Sequence, residues 1–449
     1  MRSIVVKLGS SSVTRATGPD PVVLTSALDA ALNARSLGWS VTLVTSGAVS
    51  SGAAYLTRAS GVRPSNRLAA AVGQPFLMDI YRSVSEISGQ HVCQILISED
   101  DLRSPAAVSS VSTVLGECAG AGIVPIVNGN DVTDARGSDN DAVAVAIAVA
   151  GGADKLLLLT DVHGVQEKPR DGAAHLQDLL VSRIRAVRTT DAGTGRGGMR
   201  SKLRAVELAA YNGIESHIAN ARRPGVITEC IKGEPVGTRI RPARPRFPAD
   251  ARWISGVAVS HGSIVINRAA EESISAGASL FASGIKKVDG DFGSGDVIEV
   301  LTPSGRLIAR GGSKVSATLM NLVRAMQTDE IAIVMTEILS RFLRGNVGGK
   351  PARPDTGDQA LPDAGPLPPA DLPDLRLPVV RALDSVGRYR YELIRKLALE
   401  IINLFPAATV EAMLDARQDE GLRRLRDRYR SLSSDFSFID RRRLVTFSG

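Results

Sequence analysis

Two textures alternate between residues 1 and 241. Short runs rich in Val, Ile and Leu, at 4–8, 41–45, 91–97, 123–127, 155–159 and 216–219, have the length and composition of strands. Longer Ala- and Leu-rich stretches at 24–37, 66–88, 107–121, 140–150 and 199–212 have the length and content of helices. Repeated strand–helix–strand units predict an α/β domain, a three-layer αβα sandwich whose mainly parallel sheet is covered by helices on both faces. Ligands of such sheets bind beyond the carboxyl ends of the strands.

The pattern then changes. Residues 241–248, Pro- and Arg-rich, read as a linker. From 253 to 312 short alternating runs such as 263–267 and 297–301 are broken by Gly, Ser and Asp-Gly turns, which predicts a small β-barrel. A helix is expected over 319–343, and seven of the 22 prolines then fall within 351–373, the composition of an extended linker. Beyond it 379–405 and 408–432 both have helical patterning. The domain division that follows is 1–241, 249–325, a helix at 326–344, a Pro-rich linker at 345–377 and a helical extension at 378–449. In the extension, Leu383, Val386, Leu393, Leu397, Ile401 and Leu404 recur at helical spacing, and five arginines between Arg423 and Arg430 are relieved only by Asp427. A helical pair that must pack on the kinase, on another subunit or on a partner protein is the expectation. Removing everything from Pro351 is then expected to leave catalysis intact.

Composition narrows the class. A chain of 449 residues with 44% hydrophobic and 22% charged residues is a globular chain of about three domains at roughly 150 residues each. The longest apolar run, Ala142 to Ala150, is far short of a membrane span. Lys7 interrupts the first apolar segment, which argues against a signal peptide and for a cytoplasmic protein. Three well-separated cysteines, Cys93, Cys118 and Cys230, give neither a disulfide framework nor metal spacing and read as buried thiols. The net charge of +7 suits anionic ligands.

Five segments carry chemistry. Val5-Val6-Lys7-Leu8-Gly9-Ser10-Ser11 ends a strand in a lysine and a small-residue turn, where backbone N–H groups can approach an anion beside a point charge. Val44-Thr45-Ser46-Gly47-Ala48 runs from strand to helix start, a serine cap or an open donor site. Val127-Asn128-Gly129-Asn130-Asp131 and Ser138-Asp139-Asn140-Asp141 are polar clusters suited to turns, or to an ammonium and a carboxylate of one substrate. Leu158-Leu159-Thr160-Asp161 closes another strand. Gly193 to Lys202 is a glycine loop entering a helix, an anion site by geometry and charge. There is no GxxxxGK[ST] sequence, no dinucleotide glycine pattern, no metal-ligand spacing, and no histidine placed as a base.

In this order, and with Ala71-Val72-Gly73-Gln74, Ala153 to Asp161 and Gly197-Gly198-Met199-Arg200-Ser201-Lys202, the segments make residues 1–241 resemble the glutamate 5-kinases of the amino-acid kinase family. Residues 253–312, including Gly284-Ile285-Lys286 and Gly295-Asp296-Val297-Ile298, resemble the PUA domain that many bacterial members append. The resemblance implies ATP-dependent phosphorylation of the γ-carboxylate of L-glutamate, the first step of proline biosynthesis, with Mg²⁺ carried by the phosphates and no metal site built of protein. It assigns Lys7, Lys202 and Asp141 to catalysis, and Ser46, Gly47, Asn128, Asp131 and Asn140 to the amino acid. Lys7, Gly9, Thr160, Asp161, Gly197, Gly198, Met199 and Lys202 go to ATP. A homo-oligomer is implied. RNA binding by the PUA-like segment is not expected, since it lacks interleaved aromatic and basic residues. Two alternatives stand beside this: the same chemistry on a glutamate analogue, and a degenerate kinase kept as an RNA-binding or scaffold protein.

Overall fold

The computed structural model describes residues 1–15, 18–134, 139–166, 175–187, 198–326, 391–404, 437–439 and 444–447, together with 331, 334, 335, 338 and 339. They fall into two compact units, Met1–Val259 and Ser260–Ser448.

The first unit is built on the strands β1 (Arg2–Leu8), β4 (Trp39–Val44), β5 (His91–Ile97), β6 (Ile123–Gly129), β7 (Lys155–Thr160), β8 (Glu215–Asn220) and β9 (Thr238–Ile240), with β2 (Thr14–Arg15) and β3 (Gly18–Pro19) forming a separate hairpin. The sheet order is β5-β6-β4-β1-β7-β8-β9. Every pairing is parallel except β8 with β9. The six strands expected from the apolar runs are all present, and β9 adds an antiparallel edge.

Helices α1 (Ser10–Val13), α2 (Pro21–Asn33), α3 (Ala48–Ser60), α4 (Asn66–Ile87), α5 (Glu99–Arg103), α6 (Pro105–Ala121), α7 (Asn140–Ala150), α8 (Met199–Tyr211), α9 (Val226–Lys232) and α10 (Ala249–Arg252) complete the unit. The two faces of the sheet belong to separate cores, one holding Leu24, Leu28, Leu77 and Tyr81, the other Val143, Ile147, Leu203 and Val206. Helix α7 is apolar all round because it is covered all round. Val143 through Val149 are all buried, and their small side chains let the helix lie close to its neighbours.

Three expectations about this unit need correction. Residues 241–248 are no linker: Ala243 N donates to Ala210 O at 2.9 Å, Arg246 pairs with Asp154 at 2.7 Å, and Phe247 is buried. Trp253 does not open the barrel, because its Nε1 donates to Leu102 O at 3.0 Å and Val257 joins a core of the first unit. The first unit therefore ends at Val259, not at 241. The cysteines are also not all isolated. Cys93 Sγ, on β5, lies 3.5 Å from Cys118 Sγ, on α6, and burial together with that second thiol pushes the Cys93 thiol up to about 12.

The second unit carries β10 (Gly262–Ile266), α11 (Arg268–Ser275), β11 (Leu280–Phe281), β12 (Ile285–Gly290), β13 (Val297–Leu301), β14 (Leu307–Gly312), α12 (Ala317–Val323), α13 (Tyr391–Leu404), β15 (Ser437–Ile439) and β16 (Leu444–Thr446). Its main sheet has the order β12-β10-β13-β14-β16, and β15 pairs with β11.

The single helix expected over 319–343 is interrupted. Helix α12 stops at Val323, Ala325 adopts the left-handed conformation at φ 64°, and its N–H donates to Ala282 O at 2.8 Å. Helical residues resume with Ile331, Val334, Met335, Ile338 and Leu339, a buried stripe at three- and four-residue spacing. The C-terminal extension is not a separate, wholly helical module. Strand β16 pairs with β14 through Ala309↔Thr446, and Leu397, Ala398 and Ile401 of α13 join the same core as Ile264 and Val300. The carboxylate of Glu400 accepts from Ser316 N and from Ser316 Oγ, the latter at 2.7 Å, beside the start of α12. The Pro-rich residues 351–373 and most of the second expected tail helix lie outside the described residues.

Candidate active site

Lys7 stands at the carboxyl end of β1, in register with Val44 on one side and Leu158 on the other. Because β1 is central, the sheet order settles what flanks it. Thr45 and Ser46 follow β4 and Asn128 closes β6 on one side, while Thr160 closes β7 and Asn220 closes β8 on the other. The motifs first seen as a linear series thus form two half-sites with a lysine between them.

Asp141, in the first turn of α7, is fully buried and reaches both lysines: Oδ1 lies 2.8 Å from Lys7 Nζ and Oδ2 lies 3.1 Å from Lys202 Nζ. The three side chains are at most 5% exposed. Two ammonium groups converge on the one carboxylate of Asp141 in a dry site, where charge acts far more strongly than at a surface. Burial pulls the Lys7 ammonium below the ordinary lysine range; Asp141 opposes that shift and Lys202 adds to it. Asp139 braces the helix starts: its Oδ1 accepts from Asp141 N at 2.9 Å and its Oδ2 accepts from Ser201 Oγ at 2.6 Å, one residue before Lys202.

Helix α3 begins behind Gly47, left-handed at φ 104°, where a Cβ would come within 3.0 Å of Thr14 Cγ2. Helix α8 begins behind Gly198, and α1 behind Gly9. These caps have no side chain to occupy the first N–H groups. By contrast α4, α6 and α7 are capped by Ser65, Ser104 and Asp139. Glycine-capped helix starts stand next to both lysines in the chain, Gly9 two residues after Lys7 and Gly198 four before Lys202, which suits phosphate oxygens.

On the β4–β6 side, Asn140 Nδ2 donates to Thr45 O at 3.0 Å, Ser46 Oγ at 2.9 Å and Asn128 Oδ1 at 3.1 Å. Asn128 Nδ2 donates to Gln74 Oε1 at 2.8 Å. On the β7–β8 side, Thr160 Oγ1 donates to Asp161 Oδ1 at 3.0 Å and Asn220 Nδ2 donates to Asp161 O at 3.0 Å. Lys7, Lys202 and Asp141 are brought together, as are Ser46, Asn128 and Asn140, and Gly9 adjoins Lys7. Asp131 lies half-buried in the turn after β6, two residues past Gly129. Met199 opens α8 and packs on the core, and Gly197 lies outside the described residues.

Reading the motifs singly left five contributors without a role. Gln74 ends the quoted Ala-Val-Gly-Gln, and Ser201 and Asp139 sit inside quoted segments. Gly52 and Gly73 are the fourth and fifth: a Cβ on Gly73 would stand 1.9 Å from Ala48 O, and one on Gly52 1.9 Å from Ala69 O. The backbones of α3 and α4 touch there, and that contact brings Gln74 to Asn128. Gly73→Ala is expected to force the helices apart at a cost of about 3 kcal/mol or more. Thermal unfolding measures it, and a midpoint equal to wild type would show that the close approach is not needed.

Residues 2–220 match the Amino acid kinase family and residues 262–335 match the PUA domain. A glutamate 5-kinase from Photobacterium profundum is 35% identical over 354 residues, covering 74% of this chain and 92% of that protein. One from Cronobacter sakazakii is 33% identical over 347 residues, covering 74% and 94%. One from Myxococcus xanthus is 32% identical over 346 residues, covering 74% and 92%. Agreement of this size over nearly the whole of those proteins, on a chain that brings the matching motifs to one sheet edge, means that it belongs to the amino acid kinase family and, within it, to the glutamate 5-kinases, with a PUA domain following the kinase domain.

Proposed function

We propose that the protein transfers the γ-phosphoryl group of ATP to the γ-carboxylate of L-glutamate, forming the acyl phosphate L-glutamyl 5-phosphate at the start of proline biosynthesis. The observation that carries this reading is Asp141 held between Lys7 and Lys202 at the middle of the sheet edge, with one half-site on each side. A carboxylate nucleophile is already ionised at neutral pH. The site has no need of a general base, and alignment and charge neutralisation are its tasks.

Ser46, Gly47, Asn128, Asp131 and Asn140 are assigned to the amino acid. Asp131 supplies the carboxylate for its ammonium group, and the amides orient its carboxylates. Gly9, Thr160, Asp161, Gly197, Gly198 and Met199 are assigned to the nucleotide. Lys7 and Lys202, which face both half-sites, neutralise the oxygens of the group in transfer. Asp141 holds the two ammonium groups in place for the phosphoryl.

Both oxygens of Asp141 are engaged by lysine. An ion that arrives on the nucleotide fits that arrangement: Mg²⁺ would be held by phosphate oxygens and water, supplying charge neutralisation there. No described helix is long and apolar enough to cross a membrane. A cytoplasmic homo-oligomer belongs to the same reading.

The test is to trap the acyl phosphate with hydroxylamine in the presence of ATP, Mg²⁺ and L-glutamate. Hydroxamate that depends on glutamate supports the reading; hydroxamate only with an analogue, or none with any amino acid, overturns it. Asp131→Ala is expected to raise KM for glutamate at least tenfold, roughly the weight of one ion pair to substrate, with KM for ATP near wild type. Equal rises in both constants would remove Asp131 from the amino-acid pocket.

A further inference from the structure

Each polar group in the amide row can be assigned its direction from the backbone. Thr45 O is a carbonyl and only accepts, so the group of Asn140 that faces it, at 3.0 Å, is Nδ2. The same Nδ2 faces Asn128 at 3.1 Å, which makes that atom Oδ1, and Gly129 N–H, which only donates, meets the same Oδ1 at 2.9 Å. Asn128 must then turn its Nδ2 outward, and it meets Gln74 at 2.8 Å. Gln74 can receive it only through Oε1. Its Nε2 is left at the end of the row, buried and with no hydrogen-bond partner among the described residues.

A buried amide donor without an acceptor is a cost that folded proteins avoid unless something else fills it. Gln74 also has little freedom to turn away. Its helix is seated on α3 at the Gly52–Gly73 contact and tied to the end of β4 by Tyr81 OH, which lies 2.9 Å from Thr45 Oγ1. Asn140, the first amide of the row, precedes Asp141 in the chain, and Gln74 is the last.

We infer that Gln74 is a specificity-determining residue, whose Nε2 donates to the carboxylate of the amino-acid substrate that is not phosphorylated. This rests on the glutamate kinase reading above. The row then acts as a ruler: one end stands at the reacting carboxylate beside the lysines, and the other end counts the second carboxylate. Gln74→Glu keeps the acceptor for Asn128 and replaces the donor by a negative oxygen. Gln74→Met keeps the length and removes the donor without adding charge.

Both variants are expected to raise KM for L-glutamate by roughly 10- to 100-fold, the weight of one hydrogen bond to a charged acceptor, with KM for ATP within about twofold of wild type. The second readout is the α-amide of L-glutamate, which keeps the γ-carboxylate and lacks the anion that Gln74 would bind. The preference for glutamate over this amide is expected to shrink by the same factor in Gln74→Met, a coupling that a merely structural residue does not produce. Three results would overturn the assignment while leaving the kinase reading intact: KM for glutamate within about twofold of wild type in both variants, an unchanged preference over the α-amide, or parallel rises in both KM values with a lowered thermal midpoint. Wild-type protein that forms no hydroxamate from glutamate would overturn the kinase reading, and this one with it.

Discussion

Lys202→Met is expected to lower kcat by about 10²- to 10³-fold while leaving the thermal midpoint equal to wild type or higher, and Lys7→Met is expected to do the same. The loss follows from the position of the two ammonium groups on either side of Asp141, where the phosphoryl charge must pass. The stability expectation follows from burial: removing either lysine takes one buried ammonium group out of the site, leaves Asp141 its other lysine, and puts in a methionine stem of similar length. Burial already pulls the Lys7 ammonium below the ordinary lysine range, and Lys202 adds to that pull, so removing Lys202 relieves it. Asp141→Asn is the opposite case: it takes away the carboxylate that both buried ammonium groups share and is expected to destabilise by about 3–5 kcal/mol. Steady-state kinetics and thermal unfolding on the three variants separate the roles. A lysine variant with kcat within about threefold of wild type would take that lysine out of the mechanism.

Deleting residues 391–449 is expected to unfold the second unit. That segment supplies α13, β15 and β16, and with them Leu397, Ile401, Phe438, Ile439, Val445 and Phe447, all buried. At about 1.5–3 kcal/mol for each large apolar side chain, the lost burial is on the order of 10 kcal/mol, comparable with the whole stability of a typical domain. The deletion also exposes the ladder edge of β14, which pairs with β16 in the intact chain, and removes Glu400 from Ser316. Hydrogen exchange on the truncated protein is the measurement. Strands β10, β13 and β14 should lose protection while β1, β4 and β7 keep it, since no residue of the first unit's sheet comes from the segment. Full protection of β13 and β14 after the deletion would mean that the extension is an accessory, as its separation by a Pro-rich stretch led one to expect.

Most of the first unit was legible because its signals are local. A buried strand shows as a short apolar run, a helix as a longer Ala- and Leu-rich stretch, and a phosphate-type turn as small residues next to a lysine, each within about ten residues. Those signals were enough to expect a parallel sheet with chemistry at its carboxyl edge. Singling out Lys7, Ser46, Asn128, Asn140, Asp141, Thr160 and Lys202 within those segments took the resemblance to the amino acid kinase family. The glycine pair Gly52 and Gly73 was not legible as a contact, since nothing about one helix tells which backbone will lie against it.

What misled was also physical. Pro and Arg at 241–248 have the composition of a linker, but the segment is held by Arg246 on Asp154 and by buried Phe247, partners remote in the chain. Helix propensity runs on through Ala325, yet a hydrogen bond to Ala282 holds that residue left-handed and ends the helix. Strands of three residues, such as Ser437–Ile439 and Leu444–Thr446, are too short to show a period of two, so they exist only by virtue of the strands they pair with.

Local pattern was sufficient for the six parallel strands, the long helices between them and the side chains at the strand ends, because backbone preference and hydrophobic period are properties of neighbours; β9 and the packed segment at 241–248 lay beyond it. Packing brought Lys202 to Asp141, 61 residues apart, in one ion pair, and Gln74 to Asn128 across 54. It also decided that Cys93 meets Cys118 and that the last strands of the chain complete the second domain's sheets. These are contacts between groups distant in the chain, made by sheet order and helix packing, and no local pattern encodes which distant partner will arrive.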